Sequence, residues 1–352
     1  MALFSPDQLA ASAPLALSAA CAHLSCGDRA LAEHWTATAE RILRMDPEGQ
    51  FDDSLPAGLH ALRATALDDI EAIRAEAARA YHLAADDSPW RSLACLMEGI
   101  ALRLGGRDGA ARAKLEEGAR RGAAVAPAVQ VLCVAQLALL AIDQNDWHGA
   151  ATLTALARAQ VDRESLADCP LAALVFAVSA AVHAHGKRPD TAEREARQAD
   201  RLLERLAGFM PWYIAQCLTA LAWAALRMNE LDRTRDLIAT ADRGLRSLTG
   251  ATAALSSLEA CRAQADVASA ARTGEAEPLT TAELRVLHFL PTHLSFPEIA
   301  DQLYVSRNTV KTHVRAVYRK LAASSRSQAV RNAREAGLIS RETDEAGAAA
   351  GA

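Results

Sequence analysis

The stretch LTTAELRVLHFLPTHLSFPEIADQLYVSRNTVKTHVRAVYRKLAASSRSQAVRNAREAGLI, residues 279–339, decides the fold of the C-terminal part of the chain. Its capping chemistry predicts helices over 281–290, 296–303, 307–321 and 326–336. Two short helices joined by Tyr304 and Val305 are typical of a helix-turn-helix. Ser306 is the predicted N-cap of the third helix. Capping boxes are predicted for the others: Thr280 with Glu283, Ser295 with Glu298, and Ser325 with Gln328.

The predicted helix 307–321 has two different faces. Val310, Val314, Val317 and Leu321 share one stripe, which is expected to dock on the apolar residues of the two preceding helices. Cationic, hydroxyl and amide side chains share the other side, a mixture that suits both phosphate contact and base-edge reading. An ordinary solvated basic face is the alternative interpretation. The residues of this second face are Arg307, Asn308, Lys311, Thr312, Arg315 and Arg319.

The charge distribution helps to choose between these interpretations. The chain of 352 residues has a formal net charge of −5, which by itself argues against nucleic-acid binding. Residues 279–339 carry nine Lys/Arg against four Asp/Glu, a net charge of +5, so the remainder carries 29 against 39, a net charge of −10. A basic module on an acidic body is the electrostatic pattern of a DNA-binding protein.

Residues 279–339 closely resemble the LuxR-type helix-turn-helix domain along their whole length. Two positions depart from the usual family pattern: His293 stands where glycine is common, and Ala322 follows Leu321 where Leu-Gly is usual. Both are expected to follow helix ends in the left-handed conformation, which alanine disfavours. The matching residues are Leu279-Thr280, Glu283, Val286-Leu287, Glu298-Ile299-Ala300, Leu303, Val305-Ser306, Asn308 to His313, Lys320-Leu321, Ser325-Arg326 and Ala329-Val330.

The resemblance implies roles for individual residues. Lys311, Thr312 and Arg315 are expected to read bases in the major groove of double-stranded DNA. The family commonly pairs two copies on a two-fold site through the last helix, so Gln328, Ala329, Asn332 and Ala333 are expected near the axis of a homodimer. Contacts to the DNA backbone are expected from Arg307, Asn308, Thr309, His313, Arg319, Lys320, Ser325 and Arg326.

Short polar breaks recur in the Ala/Leu-rich chain that precedes this domain. With residues 27, 68, 106, 145, 186 and 229 as markers, the spacings are 41, 38, 39, 41 and 43. A fixed period of about 20–50 residues indicates a repeat array. Each unit is predicted to be a helix, a tight turn and a second helix, and six units predict an α-solenoid over 1–272. With only 4% aromatic residues and abundant alanine, the whole chain is predicted to be all-α.

The repeats resemble tetratricopeptide-type repeats, and more specifically the helical-repeat half of large LuxR-family regulators related to the maltose activator. Much of the likeness lies in Leu31-Ala32-Glu33-His34-Trp35 and in the unit that begins at Trp90. The predicted organisation is therefore a repeat domain over 1–272, a linker over 273–278, a DNA-binding domain over 279–339 and a disordered tail over 340–352.

Several function classes lack their motifs. The chain has no GxxxxGK[ST] segment for a nucleotide, and no alternating strand and helix pattern of a phosphoacceptor domain. No apolar run approaches the roughly 20 residues that span a bilayer, and no export signal is expected. The seven cysteines are scattered singly and are interpreted as buried free thiols in a reducing cytosol. We therefore expect no enzyme activity, no cofactor, no metal and a cytoplasmic location, and the LuxR-type resemblance implies a bacterial protein.

Two functions from different classes remain. The first is a transcriptional regulator that binds a promoter and receives a protein or small-molecule effector at the repeats, with RNA polymerase as a candidate partner. The concave side of a solenoid can hold a peptide, a protein or a small molecule, so the effector stays open. The second is a repeat scaffold for protein binding, with an accessory or vestigial DNA-binding domain.

Overall fold

The computed structural model describes residues 4–45, 54–206, 208–273, 279–336 and 338–339. Within these ranges the structure is helical and contains no β-strand, which confirms the all-α prediction. The chain divides into two compact units, Met1–Ala265 and Asp266–Ala352. The last helix before the predicted linker ends at Thr273, and residues 274–278 and 340–352, which hold nearly all of the linker and the tail, lie outside the described residues.

The first unit consists mainly of six helix pairs. A short helix, α1 (Pro6–Ala10), precedes them, and α14 (Thr252–Thr273) follows. The pairs are α2 (Ala13–Ser25) with α3 (Arg29–Met45), α4 (Ser54–Ala66) with α5 (Ile70–Leu83), α6 (Pro89–Leu104) with α7 (Asp108–Val125), α8 (Pro127–Asp143) with α9 (Trp147–Arg163), α10 (Ala173–His185) with α11 (Pro189–Glu204), and α12 (Pro211–Arg227) with α13 (Leu231–Arg246).

The turns within the pairs coincide with the predicted polar breaks. In five of the six, one residue has a left-handed backbone, a conformation that glycine and asparagine adopt at low cost. In the fifth pair this residue is Lys187, one position after the glycine used as the marker. These residues and their φ angles are Gly27 (84°), Gly106 (80°), Asn145 (59°), Lys187 (57°) and Asn229 (63°).

The pairs stack in two layers. The first helices of successive pairs, from α2 through α12, pack against one another, and each second helix packs on the first helix of its own pair and of the next. Alanines with no exposed surface, such as Ala94, Ala138 and Ala177, allow this close approach. This stacking is the arrangement that the predicted solenoid requires.

The array also closes on itself. The backbone N–H of Ile70 donates to the carbonyl of Thr249 (3.1 Å), and that of Thr249 donates to Asp68 (2.9 Å), so the turn of the second pair meets the segment after the sixth. Phe209, just before α12, and Trp212, in its first turn, are 2% and 3% exposed and belong to the shared core. These two aromatic side chains therefore add to the core that the helix pairs share.

The cysteines are free thiols as predicted, but three of the seven are not buried, since Cys21 and Cys169 are half-buried and Cys26 is exposed. Cys95, Cys133, Cys217 and Cys261 are buried free thiols, and burial raises the pKa of Cys95 and of Cys261 to about 12. Cys26 is exposed, however, because it lies in the turn between α2 and α3 rather than on the apolar face of a helix.

The second unit holds four helices after the described end of α14. They are α15 (Thr281–Phe289), α16 (Phe296–Leu303), α17 (Arg307–Lys320) and α18 (Arg326–Glu335), within one residue of the predicted bounds. Val286, Leu287, Ile299, Val310 and Val317 are at most 1% exposed and form the centre of their common core.

The predicted caps explain where these helices begin. The carboxylate of Glu283 accepts the Thr280 backbone N–H (2.7 Å), and that of Glu298 accepts the Ser295 backbone N–H (2.7 Å). Ser325 caps the N–H of Gln328 at 3.2 Å, but the Gln328 amide oxygen accepts from the N–H of Ser324 instead of Ser325 (2.9 Å). The third predicted box is therefore half formed.

Within the described ranges, no helix combines the length and the apolar character that crossing a membrane demands.

Candidate nucleic-acid interface

Helix α17 is held to its unit by one face only. Val310, Val314 and Val317 are 0%, 4% and 0% exposed and belong to the core formed with α15 and α16. At its N-terminus the Ser306 hydroxyl accepts the N–H of Thr309 at 3.1 Å and also contacts the Thr309 hydroxyl at 2.8 Å. The helix is thus fixed in rotation and starts at a defined residue.

The opposite face of α17 presents a row of cations. Arg307, Lys311 and Arg315 are exposed and stand four residues apart, so they follow one another along the helix surface. In the part of the chain that the structure describes, none of the three forms an ion pair or a side-chain hydrogen bond. A row of free cations on an exposed helix face suits binding to a polyanion.

Polar groups lie between these cations. Asn308 and Thr312 are exposed, and the Thr312 hydroxyl donates to the carbonyl of Asn308 at 3.0 Å. Arg319 is exposed one turn after Arg315, while His313 is half-buried. The structure therefore places the predicted base readers, Lys311, Thr312 and Arg315, on one accessible face. The exposed residues predicted to contact the DNA backbone lie on the same helix face: Arg307, Asn308 and Arg319.

Lys320 occupies a different place from the one predicted. Its ammonium group lies 2.7 Å from the Glu283 carboxylate, and the two side chains are only 5% and 8% exposed. The hydrogen bond from Lys320 holds the pKa of Glu283 below its usual value. Because this charge is buried and paired, we correct the predicted phosphate contact: Lys320 fastens the end of α17 to the start of α15.

Arg326 is likewise used inside the unit. Its guanidinium donates to four carbonyl oxygens of the α15–α16 connection: Phe289 (3.1 Å), Leu290 (2.8 Å), Thr292 (2.7 Å) and Leu294 (2.7 Å). These bonds use four of the five N–H donors of the guanidinium, so the structure favours a bracing role for Arg326 over the predicted phosphate contact. Ser325 stays exposed at the start of α18.

The residues predicted at a dimer axis do not form an exposed face. Ala329 and Ala333 are 0% exposed in the core, because they lie on the stripe of α18 that packs inward. The Asn332 amide donates to the carbonyl of Leu321 at the end of α17 (2.8 Å). Among the side chains of α18 that the structure describes, Ser327 and Arg331 are exposed, so a dimer contact through this helix is better served by them than by the alanines.

Two backbone positions near α17 are left-handed. Ala322 has φ 53°, as predicted, whereas His293 does not adopt positive φ. Sequence reasoning missed Tyr304, which has φ 54° in the turn between α16 and α17 and is 96% exposed. Its position directly after a helix end was the available signal.

A four-helix unit with a helix-turn-helix and an exposed cationic second helix defines a class, the helix-turn-helix DNA-binding domains. Residues 277–333 match the family described as bacterial regulatory proteins, luxR family. The second unit therefore contains a LuxR-family DNA-binding domain, and the sequence resemblance is confirmed there.

Curated relatives agree with this assignment. The uncharacterised transcriptional regulatory protein YxjL of Bacillus subtilis (strain 168) is 44% identical over 64 residues, 18% of this chain and 29% of that protein. The probable transcriptional regulatory protein NarL of Mycobacterium tuberculosis (strain ATCC 25618 / H37Rv) is 43% identical over 61 residues, 17% of this chain and 28% of that protein. The match thus spans less than a third of either relative. No solved structure matches the chain at a significant level.

Proposed function

We propose that the protein is a sequence-specific DNA-binding transcriptional regulator of the LuxR type, with α17 placed in the major groove. The observation that carries this proposal is the free cationic row of Arg307, Lys311 and Arg315 on a helix whose other face is locked in the core. A helix of this kind can enter the groove without loss of packing.

Residue roles in the proposal follow the geometry. Lys311, Thr312 and Arg315 read base edges, as the LuxR-type resemblance implies, and all three side chains are exposed. Contacts to phosphates come from other polar residues of α17 and from Ser325 at the start of α18. Lys320 and Arg326 are left out because their donors bind groups within the unit. The phosphate-contacting set is Arg307, Asn308, Thr309, His313, Arg319 and Ser325.

The proposal extends to the rest of the chain. The helix-pair domain, residues 1–272, receives a signal or partner, and residues 279–339 bind DNA as a homodimer that contacts RNA polymerase. This work takes place in the cytoplasm, where the DNA of a bacterial cell lies. The resemblance of the helix pairs to tetratricopeptide repeats and to the maltose-activator group supports the signal-receiving role.

The test compares variants of the full chain on a site selected from a random DNA library. Lys311→Ala and Arg315→Ala should each weaken binding to the selected site by roughly 1–3 kcal/mol and relax the preference at individual base pairs. Arg307→Ala should weaken all sequences alike and reduce the dependence of affinity on salt. Arg163→Ala, an exposed arginine at the end of α9, is the matched control and should change nothing.

Two results would count against the proposal. DNA affinity that is absent or independent of salt would favour the scaffold function, because phosphate contacts release counterions. Unchanged footprints for both Lys311→Ala and Arg315→Ala would remove these residues as base readers.

A further inference from the structure

The first unit contains a cavity of about 450 Å³ beside the turn between α8 and α9. Trp147 at the start of α9, Trp223 and Arg227 on α12, and Ser257 and Gln264 on α14 contribute to its walls. Pockets for small molecules usually measure about 300–1,000 Å³ and combine apolar walls with a few polar groups. The size and the lining of this cavity therefore suit a small molecule.

Arg227 is the unusual residue in this wall. Its guanidinium lies 4.6 Å from the ring centre of Trp147 and 5.4 Å from that of Trp223. Its Nε atom is buried and has no hydrogen-bond partner, and Arg227 forms no ion pair within the described residues. Burial lowers its pKa, yet a guanidinium stays charged at any physiological pH. A half-buried cation without an anion is costly.

The other charged groups of the cavity wall make hydrogen bonds elsewhere, although the partner of Asp108 is a neutral amide and not a cation. Arg103 donates to Asp143 at 2.8 Å and to Gln136 and Gln216 as well, and Ser257 donates to the second Asp143 oxygen at 3.0 Å. Asp108 accepts from the Gln144 amide at 3.3 Å. No carboxylate of the cavity is therefore paired with Arg227. On the far side, His185 stacks on Trp147 at 3.9 Å and supplies no negative charge.

A second groove of the same unit shows the contrast. The groove of about 620 Å³ between α3, α4 and α5 is also lined by arginines. Each of these is paired with a glutamate: Arg29 with Glu33, Arg63 with Glu40, and Arg79 with Glu76. The unpaired arginine thus distinguishes the cavity beside Trp147 and Trp223 from the other arginine-lined groove of this unit.

We propose that this cavity binds a small planar organic carboxylate, whose negative group pairs with Arg227 and whose flat body lies against Trp223. Arg227 forms no ion pair with a side chain of the cavity, so a ligand carboxylate can pair with it directly, whereas a phosphate carries more charge at neutral pH than Arg227 alone neutralises. Flat ligands gain most from aromatic walls. A ligand of this class would be the signal for the signal-receiving role proposed above, and the biological meaning of the inference rests on that role. The binding itself requires no DNA.

The experiment uses the full chain without DNA and three probes: benzoate, its neutral analogue benzamide, and inorganic phosphate. Binding is followed by calorimetry and by the fluorescence of Trp147 and Trp223, two of the five tryptophans. Benzoate should bind and quench the fluorescence, while benzamide and phosphate should each bind at least ten-fold more weakly. Arg227→Met should weaken benzoate at least ten-fold, and Arg163→Met, at an exposed arginine outside the cavity, should bind it like the wild type.

Specific results overturn the inference. Equal affinities of the wild type for benzoate and benzamide, or an unchanged benzoate affinity in Arg227→Met, would show that no anion is recognised at Arg227. Phosphate that binds as tightly as benzoate would remove the planar carboxylate as the ligand class. The comparison of probes on the wild type remains decisive if Arg227→Met fails to fold. DNA binding is measured separately by footprinting, so a failure of the proposed regulator function can be distinguished from a failure of ligand binding.

Discussion

Replacing Lys320 with methionine should loosen the DNA-binding unit without removing a DNA contact. The substitution keeps the length of the side chain but leaves the Glu283 carboxylate, 8% exposed, without the ammonium that lies 2.7 Å away. Breaking a buried ion pair from one side costs roughly 3–5 kcal/mol, because the remaining charge stays buried. This is a large part of the stability of any small domain.

Hydrogen exchange followed by mass spectrometry measures this loss in the full chain. Peptides from 281–335 should exchange roughly 150- to 5,000-fold faster in Lys320→Met, as an opening free energy lowered by roughly 3–5 kcal/mol requires. All five tryptophans precede residue 266, so tryptophan fluorescence reports the first unit alone and should not change. The double variant with Glu283→Gln should regain part of the protection, since no unpaired charge remains.

The same pair gives a pH dependence. The pKa of Glu283 in the folded state is lowered, mainly by the hydrogen bond from Lys320. The ionised carboxylate therefore stabilises the folded unit fully at a pH above the pKa that Glu283 has in the unfolded chain, and this stabilisation is lost as the pH falls through the folded-state pKa. Protection of the wild-type unit should therefore decline below about pH 4.3, and less steeply in Lys320→Met. Wild-type protection in Lys320→Met, together with weaker DNA binding, would refute the structural role and restore the phosphate contact.

Three further outcomes are expected. Ala322→Gly should stabilise the second unit by about 1 kcal/mol in thermal unfolding, because Ala322 has φ 53°; no gain would mean that this backbone is unstrained. Arg326→Lys should cost roughly 2 kcal/mol and speed exchange over residues 289–294, since an ammonium cannot serve four carbonyls; a reduced salt dependence of DNA binding would instead reveal a phosphate contact. Gly99→Ala should destabilise the first unit by roughly 1–3 kcal/mol in urea unfolding, because its new Cβ would lie 2.6 Å from Leu115; wild-type stability would show that Leu115 can move.

Local chemistry made much of the fold predictable from the sequence. Capping residues such as Thr280 and Ser306 act within one helical turn, and the valines of α17 reveal their common face by spacing alone. The polar breaks near Gly106 and Asn145 mark turns because only a few residue types adopt a left-handed backbone cheaply. The six helix pairs and the four C-terminal helices follow from such short-range rules.

The candidate site was predictable only where a side chain's role depends on its own helix. Lys311 and Arg315 point outward because the valines of the same helix point inward. The sequence pattern did not predict that Lys320, near the end of the same helix, pairs with Glu283, which is 37 residues away in the chain. Nor did it predict that Ala329 lies in the core of the unit rather than at the axis of a dimer. A basic residue near a helix end has the same sequence signature whether it faces solvent or a buried carboxylate.

The sequence by itself determined the helices, their caps, the repeat period and the cationic face, since all of these depend on residues a few positions apart. Only the tertiary structure decided that the helix-pair array closes between Asp68 and Thr249, and that Arg227 meets Trp147 beside a cavity. These contacts join residues that are far apart in the chain. Which residues meet depends on the small rotations that add up from one stacked helix pair to the next, and no local sequence pattern specifies that sum.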